Sequence, residues 1–131
     1  MLKRTLTTIF ALTLLTASPV HAKQDSVRSC PKYEKQLRKH GLPTKEFSYI
    51  MWRESRCNPL SVSSQNGDGS YDYGGLQINS SWRSVTARVC NRPYNQTKKS
   101  LLNLDCNLKV SKYLYLNGGL AHWRTASGIH K

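Results

Sequence analysis

The apolar positions of this chain fall mostly at helical spacing, interrupted once by a stretch that alternates. Phe47, Ile50 and Met51 stand at i, i+3 and i+4, which predicts a helix opened by Pro43-Thr44 and ended by Asn58-Pro59. The next position on that stripe, i+7, is Glu54. Upstream, Cys30, Tyr33 and Leu37 share one face of a helix that Ser29 is placed to cap and Gly41 to stop. Residues 61–70 have no helical period, and Asn66-Gly67 and Asp68-Gly69 are strong turn signals. Tyr71-Asp72-Tyr73 alternates aromatic and acid, as a short strand does. Gly74-Gly75 breaks it, and Leu76-Gln77-Ile78 is placed to pair back. Beyond the hairpin, Ser80 or Ser81 caps a helix with Trp82, Val85 and Val89 on one side. Asp105 caps another that carries Cys106, Val110, Tyr113 and Leu114 and stops at Asn117-Gly118-Gly119, and a last turn carries Trp123. The expected fold class is α+β, mainly helical, with one small β-hairpin.

The first residues read differently. Met1-Leu2-Lys3-Arg4 is a short positive head, an apolar run follows from Ile9 through Leu15, and Val20-His21-Ala22 places small residues where a signal peptidase reads. This predicts a secretory signal over 1–22 and one domain over 23–131, secreted or periplasmic. The apolar run is well short of the ~20 residues that span a bilayer, so no stable membrane insertion is expected. Export bears on the cysteines. Cys30, Cys57, Cys90 and Cys106 all follow the signal, and four thiols in a small exported domain read as two disulfides. Three pairings are open. A zinc site would need CxxC spacing, which is absent, and His40, His122 and His130 are not spaced to help. No metal and no cofactor are expected.

Composition narrows the class. Of 131 residues, 38% are hydrophobic and 21% charged, which argues against a disordered, collagen-like or long coiled-coil chain. The imbalance is in sign: 20 Lys and Arg against 7 Asp and Glu give +13. That points to an anionic partner such as nucleic acid, an acidic membrane or a cell-wall polymer. No zinc-finger, RNA-recognition or helix-turn-helix signature accompanies the charge, so nucleic acid is not expected.

Glu54 is the most informative residue. A carboxyl set among Phe47, Ile50, Met51 and Trp52 loses hydration, which disfavours its charged form, and a general acid has to keep its proton. The competing reading is a helix-end glutamate that turns to solvent or pairs with Arg53 or Arg56.

The neighbouring residues add to this. Glu54-Ser55, then Asn58-Pro59, then Asn66-Gly67-Asp68-Gly69-Ser70-Tyr71-Asp72-Tyr73-Gly74-Gly75-Leu76-Gln77-Ile78-Asn79-Ser80 resembles the lysozyme-like superfamily of peptidoglycan-cleaving enzymes, over roughly residues 44–124. Two branches share the pattern: the lytic transglycosylases, including small exported ones that accompany secretion and conjugation machines, and the c-type lysozymes. The resemblance implies a lysozyme-like fold with Glu54 as the general acid at the glycosidic oxygen. Asp72 falls at the second carboxylate of the c-type enzymes, as nucleophile or electrostatic stabiliser. It also implies sugar contacts from Gln77 and Asn79, a binding role for Ser63, and stacking by Tyr73 and Trp82. Cys90 with Cys106, hence Cys30 with Cys57, is the pairing it implies. Asn58-Pro59 and Asp105-Cys106-Asn107 resemble the transglycosylase branch, which closes a 1,6-anhydro ring with one carboxyl as acid and then base. Tyr115-Leu116-Asn117-Gly118-Gly119 departs from that branch's A-Y-N-A-G, with Leu116 at the place of its tyrosine. Peptidoglycan strands are the implied partner, and a monomer is expected. A muramidase hydrolysing the same bond and a non-catalytic peptidoglycan-binding module are the alternatives.

Overall fold

The computed structural model describes residues 27–124. The predicted signal segment lies outside the described residues, as does His130. The chain opens with a 3-10 turn, Pro31–Tyr33, that runs into α1, Glu34–Lys39. Ser29 caps neither: the turn starts at Pro31, whose fixed φ suits a first helical position. Gly41 at φ 66° closes this segment, as expected.

Helix α2 spans Thr44–Ser55 and buries Phe47, Ile50 and Met51. It ends at Ser55, with Arg56 and Cys57 between it and the Asn58-Pro59 stop predicted from sequence. Arg56 (φ 53°) and Cys57 (φ 63°) both turn left-handed, and their N–H groups close back on the carbonyls of Trp52 and Met51. Two consecutive side-chain-bearing residues in that region are costly unless held. The Cys30–Cys57 disulfide, with Cα atoms 5.6 Å apart, holds them.

Strands β1 (Asp72–Tyr73) and β2 (Ile78–Asn79) form an antiparallel ribbon with Asp72 opposite Asn79 and Tyr73 opposite Ile78. The returning strand is thus shifted from the one read in sequence: Leu76 and Gln77 belong to the turn. A single bridge from Val62 to Tyr73 adds a third edge. After a 3-10 turn at Ser80–Trp82 come α3 (Arg83–Cys90), a second such turn (Tyr94–Gln96), α4 (Thr97–Leu101), α5 (Leu104–Gly118) and a closing turn, Gly119–Trp123. The caps differ from expectation by one or two places. Asn79, not Ser80 or Ser81, caps the turn before α3, and Asn103, not Asp105, caps α5. Asp105 instead bonds His40 (3.0 Å) and Lys109 (2.9 Å). Helix α4 has no counterpart in the sequence reading.

The core gathers Leu37, Phe47, Ile50, Met51, Leu76, Leu101, Leu108, Val110 and Leu114, with α5 packed against α3, α4, β2 and the closing turn. Trp123 plugs it from the C-terminal side: its ring meets Phe47 edge-on at 4.9 Å and its indole N–H donates to the Leu76 carbonyl at 3.0 Å. Asn107 is fully buried on α5 and clamps the ribbon's turn. Its amide donates to the carbonyls of Tyr73 (2.9 Å) and Leu101 (3.0 Å), and its oxygen accepts from Leu76 N–H (3.2 Å). The second disulfide joins Cys90 to Cys106, at the ends of α3 and α5. Both pairings match those the resemblance implies.

Candidate active site

A cleft of about 290 Å³ opens between the end of α2, the ribbon and the closing turn. Glu54 enters it from α2, Asp72 from β1, and Gln77, Asn79 and Trp82 from β2 and the residues beside it. The site forms where three local signals meet: the i+7 position of the α2 stripe, a ribbon whose pleat sends residue 72 one way, and a tight turn that seats Trp123.

Glu54 is part-buried, its side chain 24% exposed. Its carboxyl lines the cleft, but it is also paired with Arg53, as the competing sequence reading expected. Arg53 donates to Oε1 through Nε at 3.0 Å and through Nη2, and the same Nη2 bonds the Trp123 carbonyl. Arg56, the other partner considered from sequence, lies elsewhere: its guanidinium stacks over Trp52 at 4.0 Å.

The Asp72 carboxylate is held by two amides. Asn79 donates to Oδ1 at 2.9 Å and Asn66 to Oδ2 at 3.2 Å. Asn79 is fully engaged, since its amide also donates to Ser70 and its oxygen accepts from Ser81 N–H. Asn79 therefore braces Asp72 and the loop around it. Gln77 sits left-handed at φ 49° with its amide donating to the carbonyls of Ser61 (3.2 Å) and Gly74 (2.9 Å), which leaves its oxygen as the group free of these bonds.

Two predicted binding residues are not brought into the cleft. Strand alternation sends Tyr73 to the face opposite Asp72. There it is buried and stacks on Tyr71 at 6.3 Å, and burial raises its phenol above the usual tyrosine range. Ser63 is spent on Asp72's backbone: its Oγ accepts from Asp72 N–H at 2.9 Å and donates to the Ser64 carbonyl. Asp68 shapes its turn by accepting from the hydroxyl and N–H of Ser70, and these bonds hold its carboxyl below the usual aspartate range.

Residues not predicted from sequence complete the wall: Ile78, Leu114, His122, Trp123 and Arg124. The His122 ring meets Trp82 edge-on at 5.5 Å. The polar pair Asn107 and Ser111, one turn apart on the buried side of α5, was the signal available for the clamp under the ribbon. Among the described residues no three His, Cys, Asp or Glu side chains gather to hold a metal ion. A part-buried carboxyl facing a polar groove, with a second carboxylate in the same groove, is suited to acid–base work on a bond laid between them.

No curated protein matches the chain. A family model described as Transglycosylase SLT domain matches residues 32–127, which takes in every helix from α1 onward, the ribbon and the cleft. The chain therefore belongs to the SLT transglycosylase domain family, within the lysozyme-like superfamily of peptidoglycan-cleaving enzymes.

Proposed function

We propose that this protein is a lytic transglycosylase that cuts the β-1,4 bond between N-acetylmuramoyl and N-acetylglucosaminyl residues of peptidoglycan, with Glu54 as acid and then base. The observation that carries this reading is the entry of Glu54 and Asp72 into one polar cleft from two separate elements. In the first step the Glu54 carboxyl gives its proton to the leaving glycosidic oxygen, and the C1–O bond breaks. Asp72, fixed by Asn79 and Asn66, stabilises the positive charge that develops at C1. In the second step the Glu54 carboxylate takes the proton of the muramoyl 6-hydroxyl as that oxygen bonds to C1. The anhydro ring closes, the proton returns to Glu54, and no water is consumed. Trp82 and the Gln77 oxygen offer a stacking face and an acceptor for the sugars.

Two disulfides and a net charge that is still +11 once residues 1–22, with Lys3 and Arg4, are removed suit a protein exported to a polyanionic cell wall. The secretory signal and periplasmic or secreted location belong to this proposal, as does a monomer working on peptidoglycan strands beside a secretion or conjugation machine. The second reading, a muramidase, is favoured by the firm hold on Asp72, which a hydrolase would use as its second carboxylate. A non-catalytic binder would need neither acid.

Glu54→Gln tests the enzyme. Turnover of purified cell wall is expected to fall by roughly a thousandfold or more; native clearance by this variant excludes catalysis at Glu54. Mass spectrometry of the muropeptides released by the native protein then separates the readings. Anhydro-muramoyl ends are expected, and reducing ends would mean hydrolysis.

A further inference from the structure

A second groove starts against Tyr73, on the side of the ribbon away from Asp72. Two cavities, of about 390 Å³ and about 660 Å³, share Asn95 and Lys98 in their linings and so adjoin. The cations along them are Arg83, Lys98 and Lys99, and neither contains an Asp or Glu in its lining. This charge is segregated in sequence as well. Residues 73–104 contain Arg83, Arg88, Arg92, Lys98 and Lys99 and no carboxylate. The next acid, Asp105, is committed to His40 and Lys109.

The groove is also apolar in places. Leu60 is 68% exposed and Tyr94 is 50% exposed, two of the few large apolar side chains on the described surface that face water. Leu102 lies in the same groove as Leu60, and the Arg83 guanidinium stands over the Tyr94 ring at 5.1 Å. A neutral glycan would leave the cations unused. A bare polyanion would leave Leu60 and Leu102 unused. An acidic peptide with small apolar side chains uses both.

We propose that this groove docks the peptide stems carried by peptidoglycan strands, their carboxylates at Arg83, Lys98 and Lys99 and their methyl groups against Leu60 and Leu102. The inference rests on the reading of peptidoglycan as substrate and extends it to the reverse side of the ribbon. A stem held there keeps the protein on a cross-linked wall while the front cleft takes a glycan strand, raising the local concentration of bonds to cut.

The test measures binding in a Glu54→Gln background, so that the wall is not digested. Co-sedimentation is compared on intact sacculi and on strands stripped of their stems by an amidase, which keep lactyl carboxylates. Reversing charge at Arg83, Lys98 and Lys99 to Glu should weaken binding to intact sacculi roughly tenfold and binding to stripped strands markedly less. Leu60→Ala, which changes no charge, should weaken binding to intact sacculi alone, and it keeps the test open if the triple variant misfolds. Equal losses on both substrates would mean general attraction to anions and overturn the proposal. So would unchanged binding to sacculi by either variant. Failure of the cleft reading is seen separately, as cleavage by the Glu54→Gln protein itself.

Discussion

Arg53 and Glu54 are neighbours in sequence, and neighbours on a helix point about 100° apart. Their contact therefore needs a third group to hold the guanidinium across, and the Trp123 carbonyl is that group. Arg53 is in this sense a positioning residue: it fixes where the Glu54 oxygens stand relative to the cleft. Arg53→Gln keeps a donor but loses the fork. It should lower turnover on solubilised glycan strands roughly tenfold, with little change in KM or melting temperature. A rise in KM of the same size, with turnover unchanged, would instead make Arg53 a substrate contact. Asp72 is positioned by a different device, two neutral amides, one on each carboxyl oxygen. The two carboxylates of the cleft are thus held in chemically different ways, one by a cation and one by amides.

At the scale of elements, the ribbon is the weak member. Two residues per strand cannot stand alone in water. Its turn is pinned to α5 by Asn107, and at Gly74 (φ 80°) a Cβ would stand 2.4 Å from both Asn107 Nδ2 and the Leu101 carbonyl. Asn107→Ala strips three bonds from buried backbone groups. It should cost about 2–4 kcal/mol in urea unfolding and loosen the loop that holds Asp72. A loss under 1 kcal/mol would show that water replaces the amide. The tie between His40, just past α1, and Asp105 on α5 behaves differently because it titrates. The hydrogen bond from Lys109, aided by the charge of His40, holds the Asp105 carboxyl below the usual aspartate range. A depressed carboxylate contributes stability that is present above its unfolded-state value and is lost as pH falls through its folded-state value. Asp105→Asn should therefore flatten the fall of melting temperature between about pH 5 and pH 2. An unchanged acid limb would show that Asp105 carries none of it.

At the scale of the whole molecule, what sequence discloses is what neighbouring residues decide. Helix α2 and the placement of Glu54 follow from one period, and the ribbon from two Asn/Asp-Gly pairs and an alternation. The caps were misplaced because Asn79, Ser80 and Ser81 can each cap. Only the pull of Asp72 and Ser70 on the Asn79 amide settles the choice. Helix α4 is not legible in sequence because Thr97-Lys98-Lys99-Ser100 shows no apolar period, and its one apolar anchor is the buried Leu101. Tyr73 could have been set aside on alternation alone once Asp72 was placed in the cleft. The place of His122 and Trp123 in the cleft, and the carbonyl that holds Arg53, are not legible in sequence, because the closing turn meets α2 across 70 residues of chain. That long closure has a practical side. Trp123 both stoppers the core and anchors the arm beside the acid. A protease that nicks the backbone ahead of Gly119 should therefore disarm the protein while leaving Glu54 and Asp72 chemically untouched.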